Sequence, residues 1–211
     1  LGHFEVSING KKIGDHFLAP GWTNYSKHAQ YVTFDVTNSM RQGKNAIGVM
    51  LGNGFYYIPS ERYRKMTGAY GYPKLIAKTL IEFTDGTTQQ IISDESWKTD
   101  KSPIIYSSIF GGEDYNANLF QQDWNKPGFN DAAWKNVIIT KGPALLESQM
   151  EEPVKVMQQL ATQAKREIKA GVTLYDFGQN FSGVPSITVK GNKGDTVKLI
   201  CGELINEDGT T

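Results

Sequence analysis

The chain holds a single cysteine, Cys201, among its 211 residues, so no disulfide can close within it and packing must supply its stability. It has no excess of either charge, since 22 Lys and Arg balance 22 Asp and Glu. A neutral chain gives no electrostatic reason to bind nucleic acid or an anionic membrane surface, and neither partner is expected. Nor does any run approach the ~20 consecutive apolar residues of a membrane helix. Catalytic signatures are missing as well. There is no Gly-x-Ser-x-Gly elbow, no phosphate-cradling glycine loop and no zinc-type His/Cys spacing. His3, His16 and His28 are scattered, which fits ordinary loop or surface roles.

What is present is period-two alternation broken by turn residues. Phe4, Val6 and Ile8 fall on one face, and Asn9-Gly10 follows, a dipeptide suited to the two positive φ values of a type I′ hairpin. Residues 30–36 read as a strand rich in β-branched and aromatic side chains. Thr37 or Asn38 is expected to cap one helical turn that Gly43 stops. Residues 45–51, 75–83, 87–92 and 104–110 are further strand candidates, with Asp85-Gly86 turning one hairpin. Only 130–136 and 145–151 have any helical character.

Many short strands with Gly-rich turns predict an all-β sandwich or jelly roll and argue against an α/β fold. A break is expected between Thr140 and Pro153, marked by Lys141-Gly142-Pro143 and Glu151-Glu152-Pro153. We set the domains at 1–145 and 146–211. The second, with candidate strands at 154–157, 165–168, 172–175, 185–189 and 196–201, is near the lower limit for an independent core. It is expected to be incomplete, or to lean on the first domain. The opening Leu1-Gly2 and the polar close at 206–211 both read as cuts through a longer protein.

Two stretches carry chemistry. Gly111-Gly112-Glu113-Asp114-Tyr115-Asn116-Ala117-Asn118 is the densest polar cluster. Its oxygens suit Ca²⁺ or sugar hydroxyls, and equally a loop bonding its own backbone. Leu51-Gly52-Asn53-Gly54-Phe55-Tyr56-Tyr57, followed by Tyr63, Tyr70 and Tyr72, supplies aromatic faces of the kind that stack on pyranose rings or cover a sandwich edge. Asn53, Tyr56, Glu113, Tyr115 and Asn116 are therefore the candidate carbohydrate-binding residues. Arg62, Arg64 and Lys65 around Tyr63 are too few for a nucleic-acid patch. Trp97 and Trp134 are read as core anchors at strand ends. Glu113 has no identifiable second carboxylate, so no catalytic residue is assigned.

In order along the chain, several segments resemble the N-terminal region of the family 78 glycoside hydrolases, the bacterial α-L-rhamnosidases. They are Ile8-Asn9-Gly10-Lys11-Lys12-Ile13-Gly14-Asp15, Ala19-Pro20-Gly21-Trp22-Thr23-Asn24-Tyr25, and Phe34-Asp35-Val36-Thr37 with Gly43-Lys44-Asn45-Ala46-Ile47-Gly48. Leu51-Gly52-Asn53-Gly54-Phe55-Tyr56 and Gly112-Glu113-Asp114-Tyr115-Asn116-Ala117 continue the match. Tyr175-Asp176-Phe177-Gly178-Gln179-Asn180-Phe181-Ser182-Gly183, Gly202-Glu203-Leu204 and Asp208-Gly209-Thr210 close it.

The resemblance implies a jelly-roll (galactose-binding-like) β-sandwich followed by part of a second β-sandwich, with the inverting carboxylate pair on a helical barrel outside this chain. It implies a partner role on rhamnose-containing glycans or glycosides, packing on the catalytic domain, and no required cofactor. Ca²⁺ is the one metal that related sandwich modules bring into view. A bacterial periplasmic or extracellular setting is expected ahead of the cytoplasm. Phe55 stands where the family more often has Trp, and Asn116 where Asp is usual, which removes a charge from the polar loop. By the same resemblance the chain is expected to start after the family's first strand, which would leave an open sheet edge.

Overall fold

The computed structural model describes residues 1–62 and 68–206. Tyr63, Arg64 and Lys65 of the basic stretch, and the Asp208-Gly209-Thr210 segment, lie outside the described residues. The chain divides into two units, Leu1–Lys155 and Val156–Thr211.

In the first unit, alternation produces strand β1 (His3–Ile8). Asn9 and Gly10 adopt φ of 54° and 83°, the left-handed pair that the tight turn demands, and β2 (Lys11–Lys12) returns. The Asn9 side chain does more than turn. Its amide donates to Ser39 O at 3.0 Å and Asn45 Oδ1 at 2.8 Å, and its oxygen accepts from Ala46 N at 3.1 Å. It thereby ties the hairpin to the loop leading into β4 (Ile47–Gly52), which runs antiparallel along β1 with Val6 opposite Val49 and Ile8 opposite Ile47. The order of this sheet is β2-β1-β4. Gly48 lets another segment approach, because a Cβ there would lie 2.7 Å from Asn125 Cβ and 2.8 Å from the Trp124 ring.

Strand β3 (Ala29–Tyr31) lies between β2 and β4 in sequence. Short pairs complete the unit: β5 (Tyr57–Ile58) with β6 (Gly68–Ala69), β7 (Lys78–Glu82) with β8 (Thr88–Ile92), and β9 (Lys98–Thr99) with β12 (Lys135–Asn136). Strand β10 (Ile104–Ser108) pairs with β11 (Gly112–Tyr115), and β13 (Leu146–Ser148) runs parallel to β3. The Asp85-Gly86 turn forms as expected, with Gly86 N on Phe83 O at 2.9 Å. Among the described residues, Ile8, Ile13, Ala19, Ala29, Tyr56 and Ile58 form the buried hydrophobic core. Each large aliphatic among them contributes about 1.5–3 kcal/mol by leaving water.

Several local expectations are corrected. Residues 145–151, rich in helix formers, are not helical: β13 takes its ladder from β3, a partner far upstream, and tertiary pairing overrides propensity. Residues 130–136 also form no helix. Asn130 Oδ1 accepts from Ala132 N at 3.1 Å, a local bond that competes with helical ones, and Lys135 and Asn136 join a ladder instead. The strand expected over 30–36 stops at Tyr31. The helical turn occurs at Thr37–Ser39, but neither Thr37 nor Asn38 caps it. Val36 holds that position, Asp35 Oδ1 accepts from Thr37 N at 2.9 Å, and the turn ends at Met40 rather than Gly43.

Among its described residues the second unit contains one hairpin, β14 (Ala164–Lys169) and β15 (Val172–Asp176), turned at Gly171 with φ 75°. Residues 192–195 make a turn in which Asp195 N donates to Asn192 O at 3.0 Å. The flanking segments 185–189 and 196–201, expected as strands, carry no ladder. Among its described residues none is buried, and only Leu160, Ile168, Leu174 and Phe177 are half-buried. The architecture is all-β, a jelly-roll β-sandwich followed by part of a second sandwich.

Candidate functional site

The loop leaving β4 places Asn53 at a tight turn, where its carbonyl accepts from Tyr56 N at 3.2 Å and Tyr57 N at 3.3 Å. The Asn53 amide donates to Ser107 O at 2.7 Å. Ser107 faces Glu113 across the β10–β11 ladder, so this bond brings the two polar stretches of the sequence together. Gly54, with φ 51°, sits so close to the His3 ring that a Cβ would lie 3.0 Å from it. Burial holds the His3 imidazole below its ordinary pKa.

Tyr56 is enclosed at 4% exposure. Its ring packs edge-on to Tyr25 at 5.2 Å and stacks on Tyr70 at 5.8 Å, while its hydroxyl donates to Tyr70 O at 3.4 Å. Desolvation by burial, reinforced by the neighbouring Tyr70 and Tyr56, raises the Tyr25 pKa. Tyr56 therefore builds the wall behind the rim and offers no free face. An exposed ring beside this wall is Trp22, which stacks on Phe55 at 4.8 Å and 12°, with Phe110 edge-on to Phe55 at 6.4 Å. Trp22 is 63% exposed, so one indole face remains open. Composition alone does not mark Trp22 as a candidate. Its position directly after Pro20-Gly21, where a turn lifts a large apolar ring, was the available signal.

On β11, Glu113 and Tyr115 are exposed, whereas Asp114 turns to Arg62. The guanidinium bonds both carboxylate oxygens, with Nη1 to Oδ1 at 2.9 Å, and lies 4.2 Å over the Tyr106 ring. This hydrogen-bonded cation holds the Asp114 carboxyl below its usual range and raises the Arg62 pKa in turn. Asn116 caps the next turn, accepting from Asn118 N at 3.1 Å. Asp114 and Asn116 are both engaged within the protein in this way. Among the described residues no group of three or more His, Cys, Asp or Glu could hold a metal ion. Trp134, the anchor expected from its position, donates Nε1–H to Gln121 Oε1 at 2.9 Å and stacks on Trp124 at 6.4 Å.

The fold defines a two-part β-sandwich protein with an aromatic and polar rim on its first unit. Residues 1–158 match the α-L-rhamnosidase N-terminal domain, and residues 166–211 match the bacterial α-L-rhamnosidase concanavalin-like domain. The chain belongs to the α-L-rhamnosidase N-terminal domain family.

Among its relatives, an α-L-rhamnosidase of Streptomyces avermitilis is 37% identical over 215 residues, covering 100% of this chain and 20% of that protein. One from Formosa agariphila is 33% identical over 225 residues, covering 99% of this chain and 22% of that protein. The solved structure of α-L-rhamnosidase from Dictyoglumus thermophilum superposes with a TM-score of 0.77 at 40% identity, over 86% of this chain and 20% of that one. The Streptomyces avermitilis enzyme complexed with L-rhamnose gives 0.78 at 35% identity, over 85% and 18%. The chain thus spans about a fifth of the length of the curated relatives it matches.

Proposed function

We propose that this chain is a non-catalytic accessory region of an inverting α-L-rhamnosidase, a glycoside hydrolase that removes terminal α-L-rhamnosyl groups from glycans or glycosides. In this reading it supports a catalytic domain carried elsewhere and contacts the carbohydrate. The observation that carries it is the family match along almost the whole chain, at about a fifth of the relatives' length.

Eight of the 22 acidic residues bear on this reading. A glycosidase acid must keep its proton near neutral pH, which requires a raised pKa. Asp15, Asp35, Asp85, Asp94, Asp100, Asp114, Asp123 and Glu151 are all shifted the other way, by hydrogen bonds to neighbouring side chains and backbone groups. The 211-residue chain should leave an aryl α-L-rhamnoside intact, while the protein that carries it releases the phenol. Turnover by the chain alone that disappeared in Glu113→Gln would reverse the assignment.

A second reading, an autonomous carbohydrate-binding module, is favoured by the Trp22–Phe55 stack, whose open indole face suits the apolar side of a sugar ring. Calorimetric titration with rhamnose, with and without Ca²⁺, compares native chain and Trp22→Ala. Loss of millimolar binding in the variant supports that reading, and no heat from the native chain removes it.

A further inference from the structure

A cavity of about 220 Å³ opens where β3 and β13 end, lined in part by His16, Tyr31, Thr33, Ser148, Gln149 and Glu151. We infer that this cavity is a subsite for one neutral pyranose ring. The inference rests on the carbohydrate-contacting role proposed above but uses none of the side chains of the Trp22–Phe55 stack.

Three parts of the sequence build the walls. The parallel register sets Tyr31 beside Ser148, and Gln149 N extends it by donating to Tyr31 O at 2.9 Å. Phe17 N donates to Val154 O at 2.8 Å, and Lys155 Nζ lies 3.1 Å from Asp15 Oδ2, so the loop carrying His16 is fastened on both sides.

Size and chemistry then restrict the ligand. The volume is below the ~300–1,000 Å³ of pockets that enclose drug-sized molecules, and matches one six-membered ring with its hydroxyls. Tyr31 is 45% exposed and supplies a ring face. Thr33 and Ser148 supply hydroxyls that both donate and accept, while the Gln149 amide is fixed in the wall, accepting from Gly21 N at 3.4 Å and donating to Glu151 O at 3.3 Å. Glu151 is held in place by Gln30 Nε2 at 2.8 and 2.7 Å from its two oxygens, each of which retains a lone pair for a sugar hydroxyl. His16 Nδ1 is buried without a hydrogen-bond partner, and a ligand hydroxyl would supply one. The Glu151 carboxylate repels phosphates and sugar acids, while the nearby Lys155 ammonium is engaged by Asp15. A neutral polyol satisfies this set better than an anion does.

The test is an NMR titration of the isotope-labelled 211-residue chain with methyl α-L-rhamnopyranoside, methyl β-D-glucopyranoside and glucuronate. At least one neutral glycoside should shift the His16 ring and the Tyr31, Ser148 and Gln149 amides, with a Kd on the order of millimolar. Tyr31→Ala should weaken that binding about tenfold or more, and Tyr31→Phe should keep it. No shift at about 50 mM of either neutral glycoside, equal shifts in Tyr31→Ala, or preference for glucuronate would overturn the inference. Binding abolished by Trp22→Ala and untouched by Tyr31→Ala would also overturn it, yet leave the accessory role standing.

Discussion

The two units of this chain are written in the same alternating style, yet they reach different ends. In Leu1–Lys155, Ile8, Ile13, Tyr56 and Ile58 find enough neighbours to leave water. In Val156–Thr211, the β14–β15 hairpin forms while Val172 and Tyr175 stay exposed, as do Val184, Ile187, Val197, Leu199 and Ile200 beyond it. Alternation specifies which residues can share a face. It does not supply the opposing layer, and a lone hairpin is marginal without one.

The contrast is most easily broken by paired truncations. Tyr56→Ala, in the buried tyrosine cluster, should cost about 3–5 kcal/mol in chemical denaturation, while Leu174→Ala in the second unit should cost about 1 kcal/mol or less. Equal losses would mean that the second unit carries a core of its own. Next in size, Gly48→Ala pushes a methyl group against Asn125 and Trp124 and should cost about 1–3 kcal/mol. Gly142→Ala, which meets nothing within 4 Å, serves as its control and should stay within about 0.5 kcal/mol.

The smallest expected effect is a pH dependence at His3. Its folded pKa lies below the ordinary value, so the unfolded chain takes up the proton first as pH falls. Stability of the first unit should therefore decline as pH drops below about 6.5, levelling once the folded imidazole titrates. His3→Gln should flatten that segment of the curve. A slope unchanged by the substitution would place its source elsewhere.

The β1–β2 turn was legible because Asn9-Gly10 states its own geometry, and Asp85-Gly86 likewise. These features are local, and so is the information that specifies them. Strand β13 was not legible. Leu145, Leu146, Glu147 and Gln149 favour helix as an isolated segment, and only Ala29–Tyr31 makes them a strand. The rim shows the same division. The polar and aromatic stretches could be picked out by composition, but Tyr56 proved to be wall, and Asp114 was taken by Arg62. Trp22 was passed over because its partner Phe55 lies in a different segment, and stacking leaves no mark in either segment alone.

The late parallel strand also bears on how the protein is made. Gln30 meets Glu151 across 121 residues of sequence, and Phe17 meets Val154 across a longer interval. A ribosome extruding this polypeptide from its amino end exposes the bare edge of β3 long before the complementary strand is synthesised. Throughout that interval the nascent jelly roll carries an open seam, a place for a chaperone to shield and for premature aggregation to begin.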